Sequence, residues 1–93
     1  MKFSQIVKQA REKKGLSQVE LASYFGRYGG AVFNDLENEE FIPRNPEFII
    51  KLAEILDLDS DILFQSLGVI PDDVKEILLS DVKYFRFIRE FRK

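Results

Sequence analysis

The chain has 93 residues and a mass of 10.9 kDa, a length that fits one domain. Hydrophobic residues make up 45% of it and charged residues 32%, the balance of a globular protein, and the absence of Cys and His excludes disulfides, thiolate nucleophiles, imidazole bases and the common zinc sites. The net charge of −2 is uneven: it is +4 over residues 1–33, −9 over residues 34–76 and +3 over residues 77–93.

The first two helices are predicted from apolar spacing and from capping residues. Positions of the i, i+3, i+4, i+7 pattern are occupied by Phe3, Ile6, Val7 and Ala10. Gly15 is expected to end this helix. Ser17 is expected to begin the second one, because residues 17–20 have the form of a capping box. Gly26 is a candidate for its C-terminal cap.

A turn and two further helices follow. The adjacent glycines at 29–30 predict a turn, and a short third helix is predicted over about residues 31–37. Asn45 followed by Pro46 is typical of a helix start, since the amide side chain caps and Pro suits the first helical position. This fourth helix is predicted to run to about Asp57.

The rest of the chain is also predicted to be helical. A fifth helix covers about residues 61–67, Pro71 starts another, and Ser80 or Asp81 separates it from a last helix over about residues 82–92. No segment shows the alternation of a β-strand. The sequence therefore predicts an all-α chain of five short helices with a C-terminal helical extension.

One motif between residues 11 and 56 is informative about family. Its matching positions are Arg11, Gly15, Leu16, Ser17, Gln18, Glu20, Leu21, Ala22, Gly26, Leu36, Glu37, Asn38 and residues 51–56. Over about residues 3–68 the chain resembles the Cro/CI-like, or XRE-family, helix-turn-helix domains. The resemblance implies a five-helix lambda-repressor-like domain over residues 1–68, with the motif at about residues 17–37 and residues 69–93 as the extension. It also implies a structural ion pair between Arg11 and Glu37.

The resemblance further implies a DNA-binding surface around the second and third helices. The expected set is Ser17, Gln18, Arg27, Tyr28, Gly29, Gly30, Ala31, Val32, Asn34, Asp35 and Arg44. Gln18 would contact a phosphate, and Arg27 and Tyr28 are suited to the same role. Asn34 could read adenine, Asp35 could accept from the amino group of cytosine, and the methyl groups of Ala31 or Val32 could contact thymine.

The charge of this region departs from the family pattern. Glu39 replaces the family's glycine, Glu40 follows it, and the segment between Gly26 and Glu37 is one residue longer than usual. Carboxylates at this surface repel a polyanion and reduce the number of phosphate contacts. A protein partner at the acidic surface of residues 35–40 is therefore the alternative to DNA.

The extension also has two interpretations. It either packs on its own domain, or it buries Phe85, Ile88 and Phe91 against a second copy, as exposed aromatic stripes do at interfaces. A two-fold dimer would place two recognition helices about 34 Å apart on DNA. Its basic residues could then add phosphate contacts: Arg86, Arg89, Arg92 and Lys93.

We therefore expect a sequence-specific DNA-binding transcriptional regulator, a repressor that inserts its third helix into the major groove as a homodimer. The alternative is a helix-turn-helix scaffold for protein binding, as in antitoxins of this fold. No enzyme activity, cofactor or metal is expected. Asp57, Asp59 and Asp61 lack the Gly and distal Glu of a calcium loop and are interpreted as helix caps. No segment is apolar enough for a membrane or a secretion signal, so a cytoplasmic location is expected.

Overall fold

The structure, a computed structural model that describes residues 1–91, contains helices and connecting turns and no β-strand over that range. Its helices in chain order are α1 (Phe3–Lys13), α2 (Gln18–Ser23), α3 (Ala31–Glu37), α4 (Pro46–Leu56), α5 (Ser60–Leu67), α6 (Asp72–Ser80) and α7 (Val82–Glu90). The prediction of an all-α chain is confirmed for residues 1–91. The last helix ends at Glu90, and the predicted phosphate contacts of Arg92 and Lys93 lie outside the described residues.

Side-chain caps set the starts of several helices. Asn45 Oδ1 accepts the backbone N–H of Glu47 at 2.9 Å, directly before Pro46. Asp59 Oδ1 accepts the N–H of Asp61 at the same distance, so α5 begins one residue earlier than predicted. These bonds satisfy helix N–H groups that otherwise have no partner. Asp59 thus acts as a cap, as the sequence indicated.

The core lies among α1 to α5. Twelve apolar residues are buried there: Phe3, Val7, Leu21, Ala22, Phe33, Leu36, Ile49, Leu52, Ala53, Leu56, Leu63 and Phe64. The ring of Phe33 lies 5.5 Å from that of Phe25 and 6.2 Å from that of Phe48. Because rotations of α3 would break these ring contacts, the aromatic cluster fixes α3 against the α2–α3 turn and against α4.

The loop directly after α3 contains a strained residue. Glu39 has a φ of +64°, a left-handed conformation that costs residues other than glycine about 1–2 kcal/mol. It stands where the family that the chain resembles has glycine. Its side chain contacts Lys2 at 3.5 Å, but both groups are more than half exposed, so the pair adds little stability.

We predict that Glu39→Gly raises the free energy of unfolding by about 0.5–1 kcal/mol, because the relief of strain exceeds the extra chain entropy that glycine loses on folding. Urea denaturation followed by circular dichroism measures the change. Glu40→Gly is the matched control: Glu40 has no positive φ and should lose stability. Equal effects of the two substitutions would remove strain as the explanation.

The extension, α6 and α7, stands apart from the core. Neither helix has a buried residue, and the two pack against each other. Leu67 and Val69 are the last apolar side chains of the described range that pack on the core. The radius of gyration of 15.6 Å exceeds the about 12 Å of a compact chain of this length. Within the described part of the predicted extension, Val69 thus packs on the core, whereas α6 and α7 bury no side chain.

None of the seven helices within residues 1–91 has the length and apolar character needed to cross a bilayer.

Candidate nucleic-acid interface

A bidentate ion pair ties α1 to the end of α3. Arg11 Nε donates to Glu37 Oε2 at 2.8 Å and Nη2 donates to Glu37 Oε1 at 2.9 Å, while Nη1 donates to the carbonyl of Leu16 at 2.7 Å. The arginine and glutamate side chains are only 11% and 4% exposed. One guanidinium thus holds α1, the turn before α2 and the C-terminus of α3 in one arrangement.

The charge of Arg11 is secure in this environment. The hydrogen bond to Glu37 raises the pKa of Arg11 above its ordinary value, and the attraction of the Glu37 and Glu12 carboxylates acts in the same direction. Partial burial opposes this by disfavouring the charged form. Because the net effect on the pKa of Arg11 is upward, its guanidinium stays protonated at physiological pH.

The start of α2 differs from the expected phosphate site. Ser17 Oγ accepts the N–H of Glu20 at 3.0 Å, and the Ser17 N–H donates to Glu20 Oε1 at 3.1 Å, which completes the predicted capping box. The carboxylate of Glu20 therefore occupies a backbone donor that a phosphate would use. Gln18 is half-buried, and its Nε2 donates to Glu37 Oε1 at 3.3 Å rather than projecting freely.

The turn between α2 and α3 presents most of the other expected residues. Arg27, Gly29, Ala31 and Asn34 are exposed, and the side chain of Tyr28 is fully so. A broad, open depression of about 710 Å³ is lined by Gly26, Arg27, Tyr28, Gly29, Ala31, Val32, Asp35, Glu40 and Phe41. The structure thus places the turn residues and the first turns of α3 on one surface, which is the region expected to face DNA.

Three of the expected contacts have a different environment. Val32 packs partly on the core, which leaves less of its methyl groups for a base. Gly30 faces α2: a β-carbon there would lie 2.9 Å from Gln18 Cβ and 3.2 Å from the backbone nitrogen of Val19. Arg44 is exposed but lines a separate depression with Lys2 and Glu39. The single basic residue of the long loop is thus not beside the turn residues.

The acidic surface of residues 35–40 is smaller than its sequence indicates. Glu37 is buried in the ion pair with Arg11, so its charge is neutralised. Glu39 and Glu40 are exposed, and Asp35 is half-buried. Asp35 and Glu40 line the same depression as Arg27 and Tyr28. Two carboxylates therefore border the surface that carries the expected base-reading residues.

The expected dimerisation residues are exposed in the extension. Phe85, Ile88 and Phe91 lie on α7 or directly after it, with none of them buried. Phe87 was not among the residues predicted to form the dimer interface, but it is also exposed, and its ring contacts that of Phe91 edge to face at 5.0 Å. Helical spacing of four residues was the signal that could have placed Phe87 beside Phe91.

No family model, curated protein or solved structure matches the chain. The resemblance to helix-turn-helix domains consequently rests on the residues of this chain alone.

Proposed function

We propose that the chain is a sequence-specific DNA-binding transcriptional regulator, a repressor of the Cro/CI-like type, which inserts α3 into the major groove as a homodimer. The observation that carries the proposal is the exposed surface formed by Arg27, Tyr28, Ala31 and Asn34 at the turn and the start of α3. In helix-turn-helix proteins the N-terminal residues of the second motif helix contact base edges. The motif of residues 11–56 and the helical architecture of residues 1–91 support the same assignment.

Each exposed side chain has a role that its chemistry allows. Arg27 and Tyr28 would bind phosphates and set the position of the domain on the duplex. Asn34 would make the bidentate contact with adenine, and the methyl group of Ala31 would contact thymine. The Arg11–Glu37 pair keeps α3 at a fixed angle, so these contacts need no reorganisation on binding.

Binding to the phosphate backbone should be modest. Gln18 must exchange its bond to Glu37 for a phosphate, and Glu20 covers a donor at the start of α2. Asp35 and Glu40 add repulsion beside the base-reading residues. Because few cationic side chains are present to neutralise phosphates and release their counterions, we expect weak non-specific affinity for DNA. Sequence specificity then depends on the contacts with bases.

We predict that Asn34→Ala relaxes specificity at one base pair of each half-site, at a cost of about 1–3 kcal/mol in binding. Selection of binding sites from random duplexes, performed with the wild type and the variant, measures this. Asn38→Ala is the matched control, because Asn38 is also exposed but lies directly after the other end of α3. Identical selected sites for wild type and Asn34→Ala would contradict the role of Asn34.

The second candidate is a scaffold that binds a basic protein through Glu40, Glu39 and Asp35. The position of Asp35 and Glu40 in the depression of the turn favours it. This function would be supported over the first if the wild-type protein captured a basic protein partner and the Asp35→Asn/Glu40→Gln variant did not. The wild type should then also show no affinity for DNA at low salt.

A further inference from the structure

We infer that the α6–α7 unit is a self-complementary interface, in which acidic α6 of one copy packs against basic α7 of a second copy. This deepens the proposed function, which expects a dimer, by specifying which helices meet. The test below uses no DNA, so the interface and the DNA-binding proposal can fail separately.

The first observation is the amount of apolar surface that has no partner within the chain. Nine large apolar side chains of the extension are 38–75% exposed: Ile70, Val74, Ile77, Leu79, Val82, Phe85, Phe87, Ile88 and Phe91. Three of the nine are aromatic, and one aromatic side chain alone can bury roughly 150–250 Å². The set can therefore supply a substantial fraction of the about 800 Å² that each partner buries in a standard interface.

The second observation is a division of charge between the two helices. Asp72, Asp73 and Glu76 against Lys75 give α6 a net charge of −2, and three basic residues against Glu90 give α7 a net charge of +2. The ion pairs of residues 1–91 join only Lys2 to Glu39, Arg11 to Glu37 and Lys14 to Asp57. The charges of the extension are therefore not paired across α6 and α7 in the described chain.

Charge selects one arrangement of the two copies. In a two-fold dimer each copy presents the same patch, so α7 meets either the partner's α7 or the partner's α6. Basic against basic would repel, whereas α6 against the partner's α7 brings opposite charges together twice. The apolar side chains supply the affinity, and the charges select the pairing of helices.

The test uses two full-length charge-reversal variants whose effects cancel on mixing. Asp73→Lys/Glu76→Lys changes the net charge of α6 to +2, and Arg86→Glu/Arg89→Glu changes that of α7 to −2. Sedimentation equilibrium at about 50 mM salt should give a dimer for the wild type, at twice the 10.9 kDa chain mass. Each variant alone should dimerise at least about 10-fold more weakly, and an equimolar mixture should form a heterodimer more tightly than either variant forms a homodimer.

The mixture separates the interface from any damage to the extension itself. Contacts between α6 and α7 of one chain are altered equally in homodimer and heterodimer, so only the contacts between copies differ. Phe91→Ser should also weaken the wild-type dimer at least about 10-fold, whereas Ile62→Ser, an exposed apolar residue on α5, should leave it unchanged. A wild type that is monomeric at about 100 µM overturns the inference. The inference is also overturned if the charge variants dimerise as well as the wild type, or if their mixture shows no preference for the heterodimer.

Discussion

Glu37→Gln should lower the free energy of unfolding by about 3 kcal/mol. Removing one partner of a buried ion pair costs about 3–5 kcal/mol, because the other charge stays in a poorly solvated position. In the variant, Arg11 would keep its hydrogen bond to the carbonyl of Leu16, and its side chain is 11% exposed to water. Both features reduce the cost of leaving its charge unpaired, so we expect a value at the lower end of this range of about 3–5 kcal/mol. Since whole domains are stable by about 5–15 kcal/mol, urea denaturation should show a large shift of the midpoint.

The control for Glu37→Gln makes the same carboxylate-to-amide change in an exposed pair. Asp57 contacts Lys14 at 2.7 Å, but the two side chains are 78% and 36% exposed. Asn also tolerates the left-handed conformation that Asp57 adopts at the end of α4. Asp57→Asn should therefore cost less than about 1 kcal/mol. If both variants lose a similar amount of unfolding free energy, the burial of the Arg11–Glu37 pair does not make it more stabilising than the exposed Lys14–Asp57 pair.

Gly30→Ala should lower the free energy of unfolding by about 1–3 kcal/mol. The new methyl group would lie 2.9 Å from Gln18 Cβ and close to the backbone of α2, so α2 and α3 must separate or the turn must shift. Alanine is also a poorer residue than glycine at the position before α3. Thermal and urea denaturation, read by circular dichroism, measure the loss.

Gly29→Ala tests this explanation at the neighbouring residue. A β-carbon on Gly29 would have no heavy atom within 4 Å, and Gly29 has no positive φ. The substitution should be neutral or should stabilise by up to about 1 kcal/mol, because alanine restricts the unfolded chain. If Gly29→Ala is as damaging as Gly30→Ala, the contact between Gly30 and α2 is not the cause.

Local features of the fold could be predicted from the sequence. The starts of α2, α4 and α5 depend on Ser17, Asn45 and Asp59, each of which bonds to an N–H two or three residues later. Such bonds depend on neighbouring residues and so are present in the one-dimensional pattern. Helical periodicity likewise indicated Phe3 and Val7 as core residues.

Contacts between distant segments could not be predicted in the same way. Gln18 looks like an exposed polar residue in the sequence, but the fold places its amide beside Glu37, 19 residues later. Gly29 and Gly30 are equivalent in the sequence, and only the approach of α2 distinguishes them. The separation of the extension from the core was equally hidden, because an amphipathic helix carries the same apolar pattern whether its partner is its own domain or another chain.

DNA recognition is tested most directly by titrating the protein into a fluorescent duplex taken from upstream of its own gene and, in parallel, into a random duplex. Fluorescence anisotropy measures the binding at about 50–200 mM salt. We expect saturable binding to the upstream duplex, much weaker binding to the random duplex, and a shallow salt dependence of the affinity. Because Arg27 is the cation of the turn surface and Arg44 lines a separate depression, a dimer would neutralise roughly two phosphates, which gives a slope of about −2 in log K against log salt. Absence of binding to either duplex at about 50 mM salt would contradict the DNA-binding account.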